Sequence, residues 1–408
     1  MSSPESAQDE PQCEYRRVVN AWAMYDWANS AFTVVILTAV FPVYYRALAT
    51  NAGRAPEDAT AYWAYTTSLS LLVVALIGPV VGAMADILGR RKRFLGVALL
   101  VGILGSASLA LLGEDTFILG SLLFTIANLG FAGGNIFYEA LLPHIARSND
   151  FDRVSARGYA FGYLGGGLLL LLALVSILRH EWFWMASREV AVRASFIAVA
   201  VWWLVFSIPL LRHIVDPSDV QPRAISVGVI TDGFKHILNT LGQVRRYRQL
   251  TLFLVAFWVY NDGISTIIKL AAAFGDEIGL NHNQMLIALI LTQFIGFPCS
   301  IGFGVLAQSL GSKRAILFGL SVYTLVSVAA FFMTTAAHFY ILAIVVGLVQ
   351  GGTQAISRSL FATMVPKTRS SEFFGFFSTE RKWRVSLGRQ YLALLGSSPV
   401  AVAGESLP

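Results

Sequence analysis

The sequence predicts an all-α fold, a polytopic bundle of transmembrane helices arranged in two pseudo-symmetric halves. Of its 408 residues, 56% are hydrophobic and only 13% are charged. The mean hydropathy of +0.63 lies far above that of a soluble domain. Apolar runs of about twenty residues, long enough to cross a bilayer, recur along the chain. Motifs of the first half also return in the second.

Ten apolar runs have the length of a transmembrane helix, and we number them spans 1 to 10. They cover residues 20–46, 62–85, 93–113, 116–142, 158–179, 193–213, 249–273, 284–308, 314–335 and 338–362. Spans 1–6 form a first half at 18–213, and spans 7–10 form a shortened second half at 249–377. A cytoplasmic tail at 1–17 precedes them, and an atypical tail at 378–408 follows. Apolar residues at helical spacing in the loop 214–248 predict an amphipathic segment on the cytoplasmic membrane surface.

Basic residues set the predicted orientation, because Lys and Arg concentrate in cytoplasmic loops. Placing the N-terminus in the cytoplasm puts the basic clusters at 90–93, 214–248 and 313–314 on the inner side. The polar first residues carry no cleavable signal, so span 1 itself is expected to direct insertion.

Three pairs of motifs indicate that the second half repeats the first. The stretch "GAMADILGRRKR" at 82–93 returns as "GVLAQSLGSKR" at 304–314, with its glycines, an alanine and a basic pair in the same places. "NIFYEALLP" returns as "RSLFATMVP", and "WAMYD" returns as "WVYND", which aligns Asp26 with Asp262. A parallel duplication of a six-helix unit is implied.

The loop between spans 2 and 3 resembles the most specific motif of the major facilitator superfamily. The matching residues are Gly82, Ala85, Asp86, Gly89, Arg90 and Arg91. "YDWANSAF" in span 1 and "YNDG" in span 7 are similar to a narrower branch, the vacuolar amino-acid effluxers connected with autophagy and their bacterial relatives. The resemblance runs from residue 18 to about 377. It implies a secondary active transporter of a bacterial plasma membrane that works by alternating access, with a cavity lined by spans 1, 4, 7 and 10.

The same resemblance implies that the loop motif is a conformational latch. Its residues are Gly82, Asp86, Gly89, Arg90 and Arg91. The glycines allow a tight turn and close helix contact. Asp86 can accept from backbone N–H groups or pair with Arg90. The alternative is that the basic cluster only anchors the topology, although an acid such as Asp86 adds nothing to that role.

Strongly polar residues inside the spans are costly in hydrocarbon and are expected to face a cavity or a partner. They concentrate in four spans: Tyr25, Asp26 and Asn29 in span 1; Asn128, Asn135 and Glu139 in span 4; Asn261, Asp262 and Lys269 in span 7; Gln350, Gln354 and Arg358 in span 10. In spans 4 and 10 they fall on one helical stripe. Polar stripes on the first and fourth spans of each half suit a central aqueous pathway, so these residues form the predicted substrate and coupling site.

A carboxyl group that alternates between wet and dry surroundings can take up and release a proton. We therefore expect Asp26 or Asp262 to carry a coupling proton or bind a substrate ammonium group, with Arg358 or Lys269 available to a carboxylate. The predicted function is proton-coupled efflux of amino acids or related small organic molecules by a monomer in the lipid bilayer. Alternatives stay open for each residue. Asn and Gln side chains often serve only as hydrogen bonds between helices, and Lys269 can extend its charge to the membrane surface. Glu139 and Arg358 can belong to a latch or form a simple interfacial pair.

Other classes of protein lack support in the sequence. The Lys and Arg residues form no stripe on a soluble face, so no nucleic-acid partner is expected. The six histidines are scattered, and no zinc-protease motif, P-loop or nucleophile elbow is present, so neither an enzyme nor a cofactor is expected. Cys13 and Cys299 are too few for a disulfide framework or a thiolate metal site, and no metal is expected.

The last residues conflict with the repeat. The counterpart of span 5 would lie at about 380–401, but this stretch is too charged to cross a bilayer. Its charges are Glu380, Arg381, Lys382, Arg384 and Arg389. A frameshift, truncation or gene-model error after residue 377 is favoured over an evolved ten-helix form. In either case we expect Asp86 to lose a partner on an eleventh helix. The alternative function is a truncated, non-transporting or regulatory membrane protein of the same fold.

Overall fold

The computed structural model describes residues 6–216, 233, 237, 238, 240, 247–277 and 279–378. Within these ranges every assigned element is a helix. Ten helices of the described chain are long and apolar enough to cross a membrane, which confirms the predicted number of spans. The amphipathic segment predicted in the loop 214–248 falls mostly outside the described residues. The charged stretch of the tail falls wholly outside them.

The spans keep their predicted order along the chain. Span 1 comprises Ser6–Ala31, a π-helical stretch Phe32–Ala39 and Phe41–Asn51. Spans 2 to 10 are Pro56–Leu88, Arg91–Ser108, Phe117–Ala140, Phe151–Leu178, Arg188–His213, Arg248–Glu277, His282–Leu310, Ser312–Ala330 and Ala336–Met364. Short helices lie between or after them at Leu109–Leu111, Leu142–Ile145, His180–Phe183, Lys367–Arg369 and Ser370–Ser378.

Some helices begin before the apolar run that predicted them. Span 5 begins at Phe151 where the sequence predicts residue 158, and span 2 begins at Pro56 where it predicts residue 62. Charged residues such as Arg153 and Arg157 end a hydropathy run without ending a helix, because a long basic side chain can reach past the apolar layer. The first turns of span 5 are therefore helical and polar at once.

The α-helix of span 1 is interrupted toward its C-terminal end, although the sequence predicts one continuous helix. The N–H of Val40 donates to the carbonyl of Val35 at 2.9 Å, five residues back, which is the π-helical pattern. Pro42 lies in the first turn of the following helix. Proline lacks an N–H and its ring crowds the carbonyl four residues earlier, so a regular α-helix cannot continue through this point.

Glycines bring span 5 close to its neighbours. A Cβ added at Gly165 would lie 2.7 Å from the Trp27 ring of span 1. A Cβ added at Gly167 would lie 3.0 Å from the Gln293 side chain of span 8. This is the close contact that small residues permit between membrane helices. Span 5 thus packs on both halves and carries residues from the first half to the interface.

The outside of the bundle is covered with large apolar side chains. Their exposed fractions lie between 57% and 78% at Leu76, Leu104, Leu111, Ile118 and Val259. Such a surface is stable against hydrocarbon but would be a large apolar patch in water. The bundle has the exterior of an integral membrane protein.

The helix Ser370–Ser378 joins the second half to the first. It packs along span 2, where a Cβ added at Gly375 would lie 2.7 Å from the Cα of Pro79. Phe374 and Glu372 on this helix are fully buried. Its first turn lies beside Asp86, at the end of the bundle where the halves make the contacts described next.

Candidate functional site

Asp26 in span 1 and Arg358 in span 10 form an ion pair that joins the two halves. Nη1 and Nη2 of Arg358 donate to Oδ2 of Asp26 at 3.1 and 3.0 Å. The Arg358 side chain is 1% exposed and the Asp26 side chain is 13% exposed. In such a pair each charge depends on the other, because a buried charge without its partner is strongly unfavourable.

Ser155 in span 5 supplies two further acceptors to Arg358. Nε of Arg358 donates to the Ser155 hydroxyl at 2.9 Å, and Nη2 donates to the Ser155 carbonyl at 3.0 Å. The Ser155 hydroxyl in turn donates to the carbonyl of Ala355 at 2.7 Å. The guanidinium is therefore held by the first half on two sides. Ser155 is not among the predicted site residues, because the predicted span begins three residues after it.

Aromatic rings enclose the same guanidinium. Its carbon lies 4.8 Å from the ring centroid of Trp22, 5.6 Å from that of Tyr138 and 4.3 Å from that of Tyr159. The hydroxyl of Tyr138 donates to Oδ2 of Asp26 at 2.8 Å. Aromatic faces attract a cation most when water is excluded. Arg358 is thus stabilised by the ion pair and the rings together.

Two polar cavities lie between the halves and share part of their lining. Their volumes are about 410 Å³ and about 180 Å³. Both are lined by Phe131, Asn135, Glu139, Tyr159 and Gln354. Asp26 and Arg358 line the smaller cavity, so the ion pair closes one side of this space.

Most of the predicted site residues line these cavities. They are Asp26, Asn29, Asn128, Asn135, Glu139, Asn261, Gln350, Gln354 and Arg358. Tyr25 is fully buried behind the lining, with its ring centroid 4.7 Å from that of Tyr138. Lys269 lies in span 7, but its side chain is outside the described residues.

Asp262 departs from the expectation that it mirrors Asp26. Its side chain is exposed and is not among the residues that line the two cavities. The preceding residue, Asn261, is 7% exposed and lines the larger cavity. Successive residues point about 100° apart around a helix, and in this register Asn261 is the one that faces the cavity. The aligned aspartates of the repeat therefore occupy different environments.

The asparagines of span 4 differ in their partners. Nδ2 of Asn29 in span 1 donates to Oδ1 of Asn135 at 2.6 Å. Nδ2 of Asn128 donates to the Ser70 hydroxyl of span 2 at 2.7 Å. Ser70 is fully buried. Asn128 therefore also joins two helices of the first half, which is the packing alternative for such residues.

Other spans contribute to the lining as well. Spans 2, 5 and 8 add Trp63, Thr67, Tyr163 and Gln293, and the helix Ser370–Ser378 adds Phe377. The aromatic and hydroxyl side chains of this set do not stand out among apolar residues in a sequence, and Gln293 is a lone polar residue that forms no stripe, so the polar stripes alone cannot identify them. The cavity is wider than the four-span pathway that the stripes predict.

The loop motif closes the same end of the bundle. Oδ1 and Oδ2 of Asp86 accept from the backbone N–H groups of Ser371 and Glu372 at 3.2 and 2.9 Å. Asp86 also pairs with Nε of Arg91 at 2.7 Å, whereas the sequence analysis considers Arg90. The expected loss of an eleventh-helix partner is wrong, because the helix Ser370–Ser378 supplies that partner.

Arg91 extends the contacts of Asp86. It donates to the carbonyl of Lys367 at 3.0 Å, and Nη1 lies 3.2 Å from Nε2 of His144. Arg91 is 1% exposed. Arg90 precedes span 3 as its cap residue and is partly exposed, whereas Arg91 is buried.

The two glycines of the motif meet different needs. A Cβ added at Gly82 would lie 2.8 Å from the carbonyl carbon of Ser371, so the close approach of the helix requires glycine. Gly89 ends span 2 with a φ of 62°, in the left-handed region that favours glycine. Both positions are explained by backbone geometry.

A second closure lies at the start of span 5. The hydroxyl of Ser312, at the start of span 9, donates to Oδ2 of Asp152 at 2.8 Å. The hydroxyl of Ser359 in span 10 donates to Oδ1 of Asp152. Asp152 is not among the predicted site residues, since it precedes the apolar run of span 5 and was assigned to a loop. With Asp26 and Asp86, three acids of the first half now bind the second half at one end.

A sequence model of the family described as "Vacuole effluxer Atg22 like" matches residues 14–389 of the chain. The chain belongs to this family. The match extends past residue 377, the end that the motifs alone indicate. Among curated relatives, the "Uncharacterized MFS-type transporter YxiO" of Bacillus subtilis is 36% identical over 388 residues, which cover 94% of this chain and 90% of that protein. "Autophagy-related protein 22" of Saccharomyces cerevisiae is 24% identical, covering 83% of this chain and 73% of that protein.

Solved structures agree with the fold of this Atg22-like chain. The proton:xylose symporter XylE has a TM-score of 0.69 at 13% identity, over 94% of this chain and 90% of that one. The human organic anion transporter MFSD10 (TETRAN) has a TM-score of 0.68 at 14% identity, over 93% of each chain. At such identities the likeness shows the major facilitator fold. Together with the family match, it identifies an integral membrane transporter of the major facilitator superfamily.

Proposed function

We propose that this Atg22-like chain is a proton-coupled exporter of amino acids or related small organic molecules that works by alternating access. The observation that carries the proposal is the Asp26–Arg358 ion pair, which joins the halves at one side of a polar cavity. A secondary transporter needs a solute cavity, a closure that can open, and a group that changes charge. In this proposal the central cavity, the ion pair and the Asp26 carboxyl group fill these three roles.

Protonation of Asp26 is the proposed coupling step. The carboxyl group lines the cavity and is 13% exposed, so a proton can reach it from that space. A neutral Asp26 leaves the Arg358 charge buried without its counter-ion, a loss of about 3–5 kcal/mol in comparable buried pairs. The closed end then separates, and the proton leaves on the opposite side when the pair forms again.

The lining supports a small organic solute with both polar and apolar parts. Amide groups of Asn135 and Gln354 can bind polar atoms, while Phe131 and Tyr159 offer aromatic surface. Among the described lining residues the acids are Asp26 and Glu139, and the cation is Arg358. This charge balance favours a solute that carries an ammonium group, as an amino acid does.

The proposed orientation places the closed end in the cytoplasm of a bacterial cell. The basic clusters at 90–93 and 313–314 lie at this end, as the positive-inside preference requires. In this proposed orientation the cavity faces the outside of the cell, where a proton enters in exchange for an exported solute. Efflux is also the activity in the family's name. A monomer holds both halves and needs no second chain for this cycle.

Transport by the purified chain in proteoliposomes tests the proposal. Vesicles are loaded with one labelled amino acid at a time, and a pH gradient is imposed across the membrane. We expect gradient-driven movement for the wild-type chain. Asp26→Asn is expected to lose the response to the pH gradient, because a permanently neutral side chain cannot carry the proton. It is still expected to exchange the labelled amino acid across the membrane when the pH is equal on both sides.

Asp262→Asn is the matched control. Asp262 is also an acid near the middle of the first span of its half, but it does not line the cavities. It is expected to keep the response to the pH gradient. Full gradient-driven transport by Asp26→Asn contradicts the coupling step. A wild-type chain that exchanges no labelled solute supports the non-transporting alternative instead.

A further inference from the structure

A groove outside the transport site lies between the start of span 1 and the end of span 6. Its volume is about 410 Å³. Arg16, Arg17 and Asn20 line it from span 1, and His213 lines it as the last residue of span 6. None of these residues is among the described residues that line the central cavities.

The polar rim of this groove is positively charged. Arg16 and Arg17 are both exposed. Neither guanidinium has an ion-pair partner in the part of the chain that the structure describes. The neighbouring Tyr15 points elsewhere, since its hydroxyl donates to Asp150 at 3.0 Å. Arg16 and Arg17 line the groove, where their guanidinium groups are available to an anion.

The inner wall of the groove is apolar. Met24 and Ala21 of span 1 and Pro209 of span 6 line it one or more turns deeper than the arginines. The apolar part of span 1 begins at about residue 20, so the arginines mark the boundary between hydrocarbon and water. A groove with cations at the boundary and apolar walls below it matches a lipid, with its phosphate above and its acyl chains beneath.

We propose that this groove binds the phosphate headgroup of an anionic phospholipid, with Arg16 and Arg17 as the phosphate ligands. Arginine presents paired N–H donors that suit phosphate oxygens. Basic pockets between transmembrane helices are the setting in which such headgroups bind. The site is independent of the transported solute, and its ligand comes from the surrounding bilayer.

Binding of a fluorescent phosphatidylglycerol to the full-length protein in neutral detergent tests the site. The double variant Arg16→Gln/Arg17→Gln is expected to bind about 25-fold more weakly, since each basic residue near a headgroup contributes about fivefold. The double variant Arg16→Lys/Arg17→Lys is expected to keep most of the affinity, because it keeps both charges. Thermal unfolding of each variant reports whether it has folded.

Arg93→Gln is the matched control, because Arg93 is an exposed arginine at the same end that does not line the groove. It is expected to bind within about twofold of wild type. Two competitors identify the source of the phosphate: unlabelled phosphatidylglycerol should displace the probe, and millimolar inorganic phosphate should not. Equal loss in the Arg93 and double-Gln variants, or equal displacement by inorganic phosphate, overturns the proposal.

Discussion

Asp86 of span 2 caps the helix Ser370–Ser378 from the opposite half, since its Oδ2 accepts from the backbone N–H of Glu372 at 2.9 Å. The first N–H groups of a helix have no partner inside the helix, and a carboxylate there also complements the helix dipole. The contact uses backbone atoms of the second half. The residue types at 371 and 372 therefore matter less to this contact than the position of the helix.

Asp86→Asn is expected to destabilise the closed end. The substitution removes a buried charge that pairs with Arg91 and accepts two backbone bonds, and bonds to a charged group contribute about 1.5–3 kcal/mol. We expect a lower midpoint of thermal unfolding and slower transport in proteoliposomes. Asp58→Asn, an exposed acid at the other end of the same helix, serves as the control. Equal midpoints for the two variants would show that the cap does not stabilise the fold.

Gly82→Ala is expected to open the closed end. The added Cβ would lie 2.8 Å from the carbonyl carbon of Ser371, so the helix Ser370–Ser378 must move away. The reporter is a single cysteine at Ala132, which lines the larger cavity, in a chain that lacks Cys13 and Cys299. A membrane-impermeant maleimide is expected to label it faster from the proposed cytoplasmic side.

Gly96→Ala is the control for this experiment, because a Cβ there meets no atom within 4 Å. It is expected to leave the labelling rate at the value of the parent chain. Unchanged labelling in Gly82→Ala, with the variant folded, would falsify the latch role of this contact.

Ser155→Ala is expected to lower stability through Arg358. The change removes the hydroxyl that accepts from Nε, and a buried donor without a partner costs about 1–3 kcal/mol. Thermal unfolding in detergent measures the effect. Ser176→Ala in the same span is the control, because its hydroxyl only donates to the nearby Ala173 carbonyl. A smaller loss for Ser155→Ala than for Ser176→Ala contradicts the prediction.

Asn135→Ala and Asn128→Ala are expected to act differently. Asn135 lines both cavities, so its loss is expected to raise the KM for the transported solute by up to about tenfold, the value of one hydrogen bond. Asn128 donates to the buried Ser70 hydroxyl, so its loss is expected mainly to lower the unfolding midpoint. Initial rates of uptake and thermal unfolding, measured on both variants, separate the two roles. The same KM change in both would contradict this division.

Spacing and hydropathy predict much of this architecture. The ten spans follow from apolar runs alone, because hydrocarbon demands them. The stripes of spans 4 and 10 were also readable, since polar groups at helical spacing must share a face. Asp86 could be selected because an acid stands out in a basic loop. Each of these predictions depends on a physical constraint that acts within a single segment of the chain.

The remaining features depend on how segments meet. Arg358 binds Asp26, a partner that spacing could not select, because Ser155 and three rings hold the guanidinium there. Asp262 was paired with Asp26 by alignment, yet the register of span 7 turns Asn261 to the cavity instead. Hydropathy also hides Ser155, since the flanking Arg153 and Arg157 end the apolar run early. These partners and side-chain orientations are decided by tertiary packing.

The three acids that bind across the interface have an evolutionary consequence. Asp26, Asp86 and Asp152 all belong to the first half, and each accepts from donors of the second. The repeat of the loop motif carries Gln308 where the first copy has Asp86. At these three contacts the first half supplies the carboxylates and the second half supplies the donors. In the alignment of the motifs Asn135 stands where the second half has Arg358, so a second copy of the first half would offer Asp26 no cation.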